Sequence, residues 1–177
     1  MRKFVSAALL SLATLATAGS ALAGYGNPPS RTPDSKAVPM LAKAKITLLQ
    51  GIQQAAKHGA VIEAKFETDD SGALSLSTYT AKGFGNFFEV SASPTTTPWK
   101  PGQEKITGAE DLVNSAVDLT LLDQGSLSLS SAVQKAVAEQ PGTAYWAVPT
   151  LQGKKPVVGV YIRSSDGKSH HLFIPVK

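Results

Sequence analysis

One pattern occurs twice in the chain and constrains its fold more than any other feature. The stretch ITLLQGIQQAAKHGAVIEAKFET, residues 46–68, has apolar residues at helical spacing and then strict alternation, which indicates a helix followed by a strand. The stretch LSLSSAVQKAVAEQPGTAYWAVP begins 81 positions later and repeats this order with few identical residues. A duplicated module explains the recurrence; the alternative is two similar modules of independent origin.

Local signals predict where each helix begins and ends. Thr47 and Gln50 have the spacing of a capping box, and Ser128 takes the place of Thr47 in the second copy. Gly59 and the pair Pro141-Gly142 are placed to end the two helices. Both copies therefore predict a short amphipathic helix of similar length.

Three strands are predicted after each helix. In the first copy they are AVIEAKFET, ALSLSTYT and NFFEVSA, with turn residues at 69–72. In the second they are TAYWAVPTL, PVVGVYIR and SHHLFIPV, and Asp166-Gly167 signals a hairpin between the last two. The predicted fold class is α+β: two repeats of a helix followed by a short antiparallel β-sheet, joined by a linker and a connecting helix.

The segment between the copies reads as a linker followed by a helix. SPTTTPWKPGQEKITG is rich in Pro and Thr and carries Trp99. Helical spacing then predicts a connecting helix from about Ala109 to Leu122, on whose apolar face lie Ala109, Leu112, Val113, Ala116 and Leu119.

The first residues have the layout of a secretory signal peptide. Arg2 and Lys3 precede an apolar run, and Ala21-Leu22-Ala23 places small residues before a cut ahead of Gly24. No cysteine follows that could carry a lipid. The predicted location is therefore periplasmic or secreted, with no integral membrane segment after cleavage.

These observations divide the chain into five segments. They are a signal peptide (1–23), a flexible Pro-rich tether (24–40), repeat 1 (41–93), a linker with connecting helix (94–125) and repeat 2 (126–177). Whether the two repeats pack as one unit stays open, but each alone is small for independent folding, which favours a packed pair.

Composition narrows the classes of partner. Removing Arg2 and Lys3 lowers the formal charge from +4 to +2, and the remaining lysines form no run, so a nucleic-acid partner is not expected. The chain has no cysteine, so no disulfide contributes to stability.

No constellation of residues predicts catalysis. His58 falls at a helix end, and the neighbours His170 and His171 point to opposite faces of a strand, so they cannot share a metal ion. Asp69 and Asp70 suit a turn better than a calcium loop. We therefore predict no cofactor, no metal site and no enzymatic activity.

Aromatic residues are the remaining candidates for a binding role. Core packing is predicted for Phe66, Trp146 and Phe173, and one member of the pair Tyr145-Trp146 is expected to face outward. Trp99 has two interpretations: it seals the junction of the repeats, or it anchors a partner, and it is the one candidate contact residue.

The stretch ITLLQGIQQAAKHGAVIEAKFE, whose helical half returns as LSLSSAVQKAVAEQPG, resembles the PepSY domain. The resemblance covers about residues 46–177 and consists of patterns of size and polarity. It departs in repeat 1, where AKGFGN precedes a short third strand. PepSY domains occur in propeptides of secreted metallopeptidases and in other exported proteins, and the family supplies no catalytic residues.

The resemblance implies a non-catalytic exported binding module that engages a protein or peptide, with inhibition or regulation of a secreted peptidase as a special form. Two alternatives stay open. One is a structural or envelope-associated protein that inhibits nothing. The other is a hydrolase or metal carrier that uses His58, His170 or His171.

Overall fold

Seven antiparallel strands, three α-helices and two short 3-10 helices make up the fold in the computed structural model, which describes residues 31–177. The sheet order is β4-β3-β2-β1-β5-β6-β7. The elements, in chain order, are α1 (Leu48–Ala55), β1 (Ala60–Thr68), β2 (Leu74–Ala81), β3 (Phe87–Ala92), β4 (Gly102–Lys105), α2 (Ala109–Leu122), α3 (Leu129–Glu139), β5 (Thr143–Gln152), β6 (Lys155–Arg163) and β7 (Ser169–Pro175).

The predicted fold of two repeats, each with its own short sheet, is wrong, because all seven strands belong to one sheet. The strands β1 and β5 pair directly, with Ala64 opposite Ala147 and Lys65 opposite Trp146. Separate sheets would leave the backbone N–H and C=O groups of both strands unpaired at an edge. Residues 102–105, predicted as linker, add the strand β4 beside β3.

The helices lie on both faces of the sheet. Helices α1 and α3 pack on the face that carries Phe66 and Leu76, where the main apolar core lies. Helix α2 packs over Tyr79 and Ala81, which have the opposite parity on β2 and therefore point to the other face. The bounds of α2 match the predicted connecting helix. No helix among residues 31–177 is long and apolar enough to cross a membrane.

The predicted caps and hairpin turn are present. Thr47 and Gln50 form a capping box, and the Ser128 side chain accepts a hydrogen bond from the Ser131 N–H. The turn between β6 and β7 contains Gly167 at a φ of 82°, a conformation that favours glycine. Short-range sequence signals therefore located the element ends well.

The segment predicted as a flexible tether differs from that prediction from Arg31 onward. The Asp34 carboxylate accepts hydrogen bonds from the Thr68 backbone N–H at 2.8 Å and hydroxyl at 2.7 Å. Ala37 is buried, and a 3-10 helix at Val38–Lys43 buries Leu41. These contacts fix the segment against the end of β1. Residues 1–30, which include the predicted signal peptide, lie outside the described part of the chain.

The β1–β5 seam is the narrowest junction in the sheet, with two residue pairs in register. Bulges lie close to it in both strands, between Val61 and Glu63 and between Ala144 and Trp146. The prediction that Tyr145 or Trp146 faces outward is wrong, because both are buried. The bulge breaks the alternation at this pair, and helices cover both faces of the seam.

Candidate functional site

A buried ion cluster, formed by Arg31, Glu63 and Asp118, lies on the α2 face of the seam. The Arg31 guanidinium donates to Asp118 through both Nη atoms, at 2.5 and 3.0 Å, and to Glu63 Oε2 at 2.8 Å. The Trp146 indole N–H donates to the other Glu63 oxygen at 2.7 Å. The cluster therefore joins the N-terminal segment, β1, β5 and α2 at one point.

The ion cluster contains one cation for two carboxyl groups. The Asp118 side chain is 1% exposed, whereas Arg31 is 20% exposed. Burial, together with the negative charge of Glu63, raises the pKa of Asp118 to about 8 against the opposing effect of Arg31. A proton held by Asp118 near neutral pH leaves one positive and one negative charge, which are paired.

Lys65 and Tyr79 lie beside the ion cluster. The Lys65 ammonium pairs with Glu67 at 2.8 Å and lies 5.2 Å from the centre of the Tyr79 ring. Burial raises the pKa of Tyr79, so its hydroxyl stays protonated near neutral pH. These groups border a polar cavity of about 310 Å³ under the start of α2.

An aromatic stripe, formed by Trp146, Tyr161, His171 and Phe173, crosses strands β5, β6 and β7 on the same face. The Trp146 and Tyr161 ring centroids lie 4.9 Å apart, and those of Tyr161 and His171 lie 3.8 Å apart, both nearly parallel. The His171 and Phe173 rings follow at 4.2 Å. The stripe thus runs from the buried cluster to the outer edge of the sheet.

Gly159 allows the His171 ring to lie flat across β6. A Cβ atom at residue 159 would lie 2.7 Å from His171 Nε2. Because the glycine has no side chain, the imidazole can occupy the space between Tyr161 and Phe173. Partial burial lowers the pKa of His171, which favours a neutral, stacked ring at neutral pH.

Exposure increases along the aromatic stripe towards the edge of the sheet. Trp146 is buried, Tyr161 is partly buried, and His171 and Phe173 are exposed. The prediction that Phe173 lies in the core is therefore wrong: its side chain is 38% exposed. The four rings and Arg31 line a cavity of about 200 Å³. Aromatic surface of this kind suits contact with another molecule.

A second polar group lies in the β6–β7 turn. The Ser164 hydroxyl lies 3.1 Å from His170 Nε2, and it donates to Asp166. Asp166 also accepts from the Lys168 backbone N–H, as turn aspartates do. The carboxylate contacts the serine rather than the histidine, so the order of contacts in a catalytic triad is not reproduced. The arrangement stabilises the turn.

Trp99, the one predicted partner contact, lies in the main apolar core. Its side chain is 4% exposed, and its indole N–H donates to the Ala92 carbonyl at 3.3 Å. A buried ring offers no surface to a partner, so we do not retain Trp99 as a contact residue. Among residues 31–177, the exposed aromatic side chains are those of His171, Phe173 and Phe84.

The predicted histidine and aspartate positions are spread over the molecule. The ring nitrogen Nδ1 of His58 lies 3.1 Å from Gln103, far along the chain from His170 and His171. Asp69 accepts from the Ser71 and Ala73 backbone N–H groups in its turn, as expected of a turn residue. Residues 31–177 contain no group of three or more His, Cys, Asp or Glu side chains that could hold a metal ion.

Comparisons with known proteins yield little that bears on this site. Neither the protein-family models nor the curated proteins give a match to the chain. Among solved structures, the chain is similar to "a putative lipoprotein" from Clostridium difficile 630, with a TM-score of 0.37 and 16% identity. The similarity covers 76% of this chain and 88% of that one.

Proposed function

We propose that this chain is a non-catalytic exported binding protein of the PepSY kind, which engages a protein or peptide through the aromatic stripe. The observation that carries the proposal is the outer end of the stripe, where His171 and Phe173 are exposed beside an open sheet edge. Large aromatic side chains of this kind supply much of the binding energy in protein interfaces.

The inner end of the aromatic stripe supports the proposal because it holds the aromatic rings in fixed positions. Tyr161 and His171 are held in one stack that ends on the buried Trp146, whose indole is fixed by Glu63. A contact surface that is ordered before binding loses less side-chain entropy when a partner docks. The ion cluster serves this surface by holding Trp146 in place.

Replacing Phe173 with serine is expected to lower partner affinity about tenfold, which corresponds to about 1.4 kcal/mol of lost contact. The purified protein is immobilised and exposed to the exported fraction of its native host, and retained proteins are quantified by mass spectrometry. A protein retained by the wild type is then titrated against both forms.

Phe84→Ser is the matched control, because Phe84 is 77% exposed in the β2–β3 turn and lies outside the stripe. An equal loss of partner affinity in both variants would indicate non-specific hydrophobic binding. It would contradict the assignment of the aromatic stripe as the binding surface. If the wild-type protein retains no other protein, the binding proposal fails. That result would favour the alternative of a structural or envelope-associated protein.

Inhibition of a secreted peptidase is the specialised form of this proposal. A peptidase retained in the capture experiment is assayed with and without the protein, and with the Phe173→Ser variant. Dose-dependent inhibition that the variant has lost would establish the inhibitory form. Full peptidase activity at saturating protein would leave binding without inhibition.

Export is the other part of the proposal, and it is supported by the signal-like sequence of residues 1–23. Cleavage ahead of Gly24 is expected to give a 154-residue product, from 177 minus 23. Intact-mass measurement on protein recovered from the native host tests this directly. A product that retains Met1 to Ala23 would contradict the predicted cleavage.

A further inference from the structure

The two outer strands of the sheet differ in how they are protected from further pairing. Strand β4 has four residues, and Glu104 and Lys105 place charges on it. Strand β7 has seven residues, from Ser169 to Pro175, and carries no Asp, Glu, Lys or Arg. Short length and charge are the usual means of blocking an edge, and β7 has neither, so within residues 31–177 it is the open edge of the sheet.

The hydrogen-bond register fixes which backbone groups of β7 point outward. The Ser164 N–H donates to the Lys168 carbonyl, and the Val176 N–H donates to the Pro156 carbonyl. These two bonds show that the facing pairs 164 with 168 and 156 with 176 are hydrogen-bonded pairs. In an antiparallel ladder, every second facing pair is hydrogen-bonded in this way. The even-numbered residues of β7 therefore bond to β6, while Ser169, His171 and Phe173 direct their N–H and C=O groups away from the sheet.

The same residues that present free backbone groups also belong to the aromatic stripe. His171 and Phe173 carry their side chains on the stripe face. A strand added to β7 would pair with their backbone and place alternate side chains beside their rings. Backbone pairing provides affinity and the neighbouring side chains provide selectivity in this type of recognition.

Lysines cluster where β7 ends. Lys154 and Lys155 lie at the β5–β6 turn, and the pairing of Val157 with Pro175 brings them close to Lys177. All three are exposed, and none forms an ion pair with another residue in the range 31–177. An added strand with acidic residues at this end would complement their charge.

We propose that β7 is a docking edge for an extended segment of another protein, with alternating apolar residues and acidic residues at the end beside Pro175. The proposal rests on the proposed binding function and specifies how binding occurs. Pro175 has no N–H, so the donors available to the partner are those of Ser169, His171 and Phe173.

The test compares His171→Pro with His171→Ala. Both variants lack the imidazole, but only the proline variant also lacks the outward N–H of residue 171. The probes are fluorescein-labelled ten-residue peptides of alternating valine and threonine, with two aspartates at either the amino or the carboxyl end. Fluorescence anisotropy is expected to show affinity about tenfold lower for the proline variant than for the alanine variant.

Two further measurements keep the test decisive if the proline variant unfolds. A peptide with N-methyl groups on alternate residues changes only the ligand, and it should lose binding to the wild-type protein in one of its two methylation registers. Replacing Lys154, Lys155 and Lys177 with glutamine should remove the preference for aspartate-bearing peptides over the same peptides with asparagine.

Several results would overturn strand addition at β7. One such result is equal affinity of the proline and alanine variants, and another is binding that N-methylation in either register does not affect. Either result would mean that the protein binds its partner at a surface other than the β7 edge. A wild-type dimer that His171→Pro converts to a monomer would make the occupant a second copy of this chain. Absence of peptide binding would remove the docking edge, while the capture experiment with Phe173→Ser judges the broader function separately.

Discussion

The Arg31→Met variant is expected to lose about 3 kcal/mol of unfolding free energy at pH 7, the lower end of the range for breaking a buried ion pair. The lower end applies because the Arg31 side chain is 20% exposed. Removing the cation leaves the buried carboxyl groups of Glu63 and Asp118 without the positive charge that pairs with them. Urea unfolding, followed by tryptophan fluorescence, measures the loss.

The Asp118→Asn variant is the matched control, with an expected loss of about 1 kcal/mol, because the amide keeps one of the two oxygens that accept from Arg31. Asparagine resembles the protonated form of Asp118, and the pair of Arg31 and Glu63 remains neutral. The cluster should thus tolerate loss of this carboxylate far better than loss of the guanidinium. Equal destabilisation by both substitutions would contradict the charge count of one cation to two carboxyl groups.

The pH dependence follows from the direction of the Asp118 shift. The folded-state pKa, about 8, lies above the unfolded value near 4. The folded state therefore binds more protons between these values, and this group's stabilising contribution falls as the pH rises through the window. The asparagine variant should gain relative to the wild type from pH 5 to pH 8. The Arg31→Met loss should grow as the pH rises above about 8, where Asp118 loses its proton in the wild type but keeps it in the variant.

Local patterns in the sequence predicted most element ends because their causes are local. A capping box at Thr47 and a hairpin turn at Asp166-Gly167 depend on residues within four positions of each other. The face of α2 was harder to predict. Its apolar spacing pointed to Val113, which is 49% exposed, whereas Ser115 and Asp118 are buried.

The ion cluster could not be read from the sequence because its members are distant along the chain. Arg31 contacts Glu63 across 32 positions and Asp118 across 87. A lone arginine in a Pro-rich segment gives no sign of burial, and an aspartate in an amphipathic helix normally faces water. The packing of α2 and of the N-terminal segment against β1 brings these residues together.

The joined sheet was missed for a related reason. Each helix-and-strand pattern describes a unit that is complete in itself. The alternating pattern of β1 or β5 does not show which strand pairs with it on the side away from its own repeat. A continuous sheet also explains the aromatic stripe. Trp146, Tyr161 and His171 align through strand register, with Trp146 opposite Tyr161 and Tyr161 opposite His171. Register of this kind depends on bulges, and the sequence did not show the one beside Trp146.

The second large effect is expected for Trp146→Ala, with a loss of about 3–5 kcal/mol, as for other buried tryptophans. Trp146 is buried at the two-pair seam, stacks on Tyr161 and donates to Glu63. Its removal empties the space between the ion cluster and the aromatic stripe. Because small domains are stable by only about 5–15 kcal/mol, urea denaturation followed by circular dichroism should show a much lower midpoint.

Trp146→Phe separates packing from hydrogen bonding, since it keeps an aromatic ring but removes the indole N–H. The Glu63 oxygen that accepted this bond would then be buried without it, at a cost of about 1–3 kcal/mol. Combining the substitution with Glu63→Ala, which removes the accepting oxygen, gives a double-mutant cycle, in which a coupling near 1 kcal/mol is expected because the two groups are in contact. Additive losses would show that the bond contributes nothing across the seam, and Trp146 would then act through packing alone.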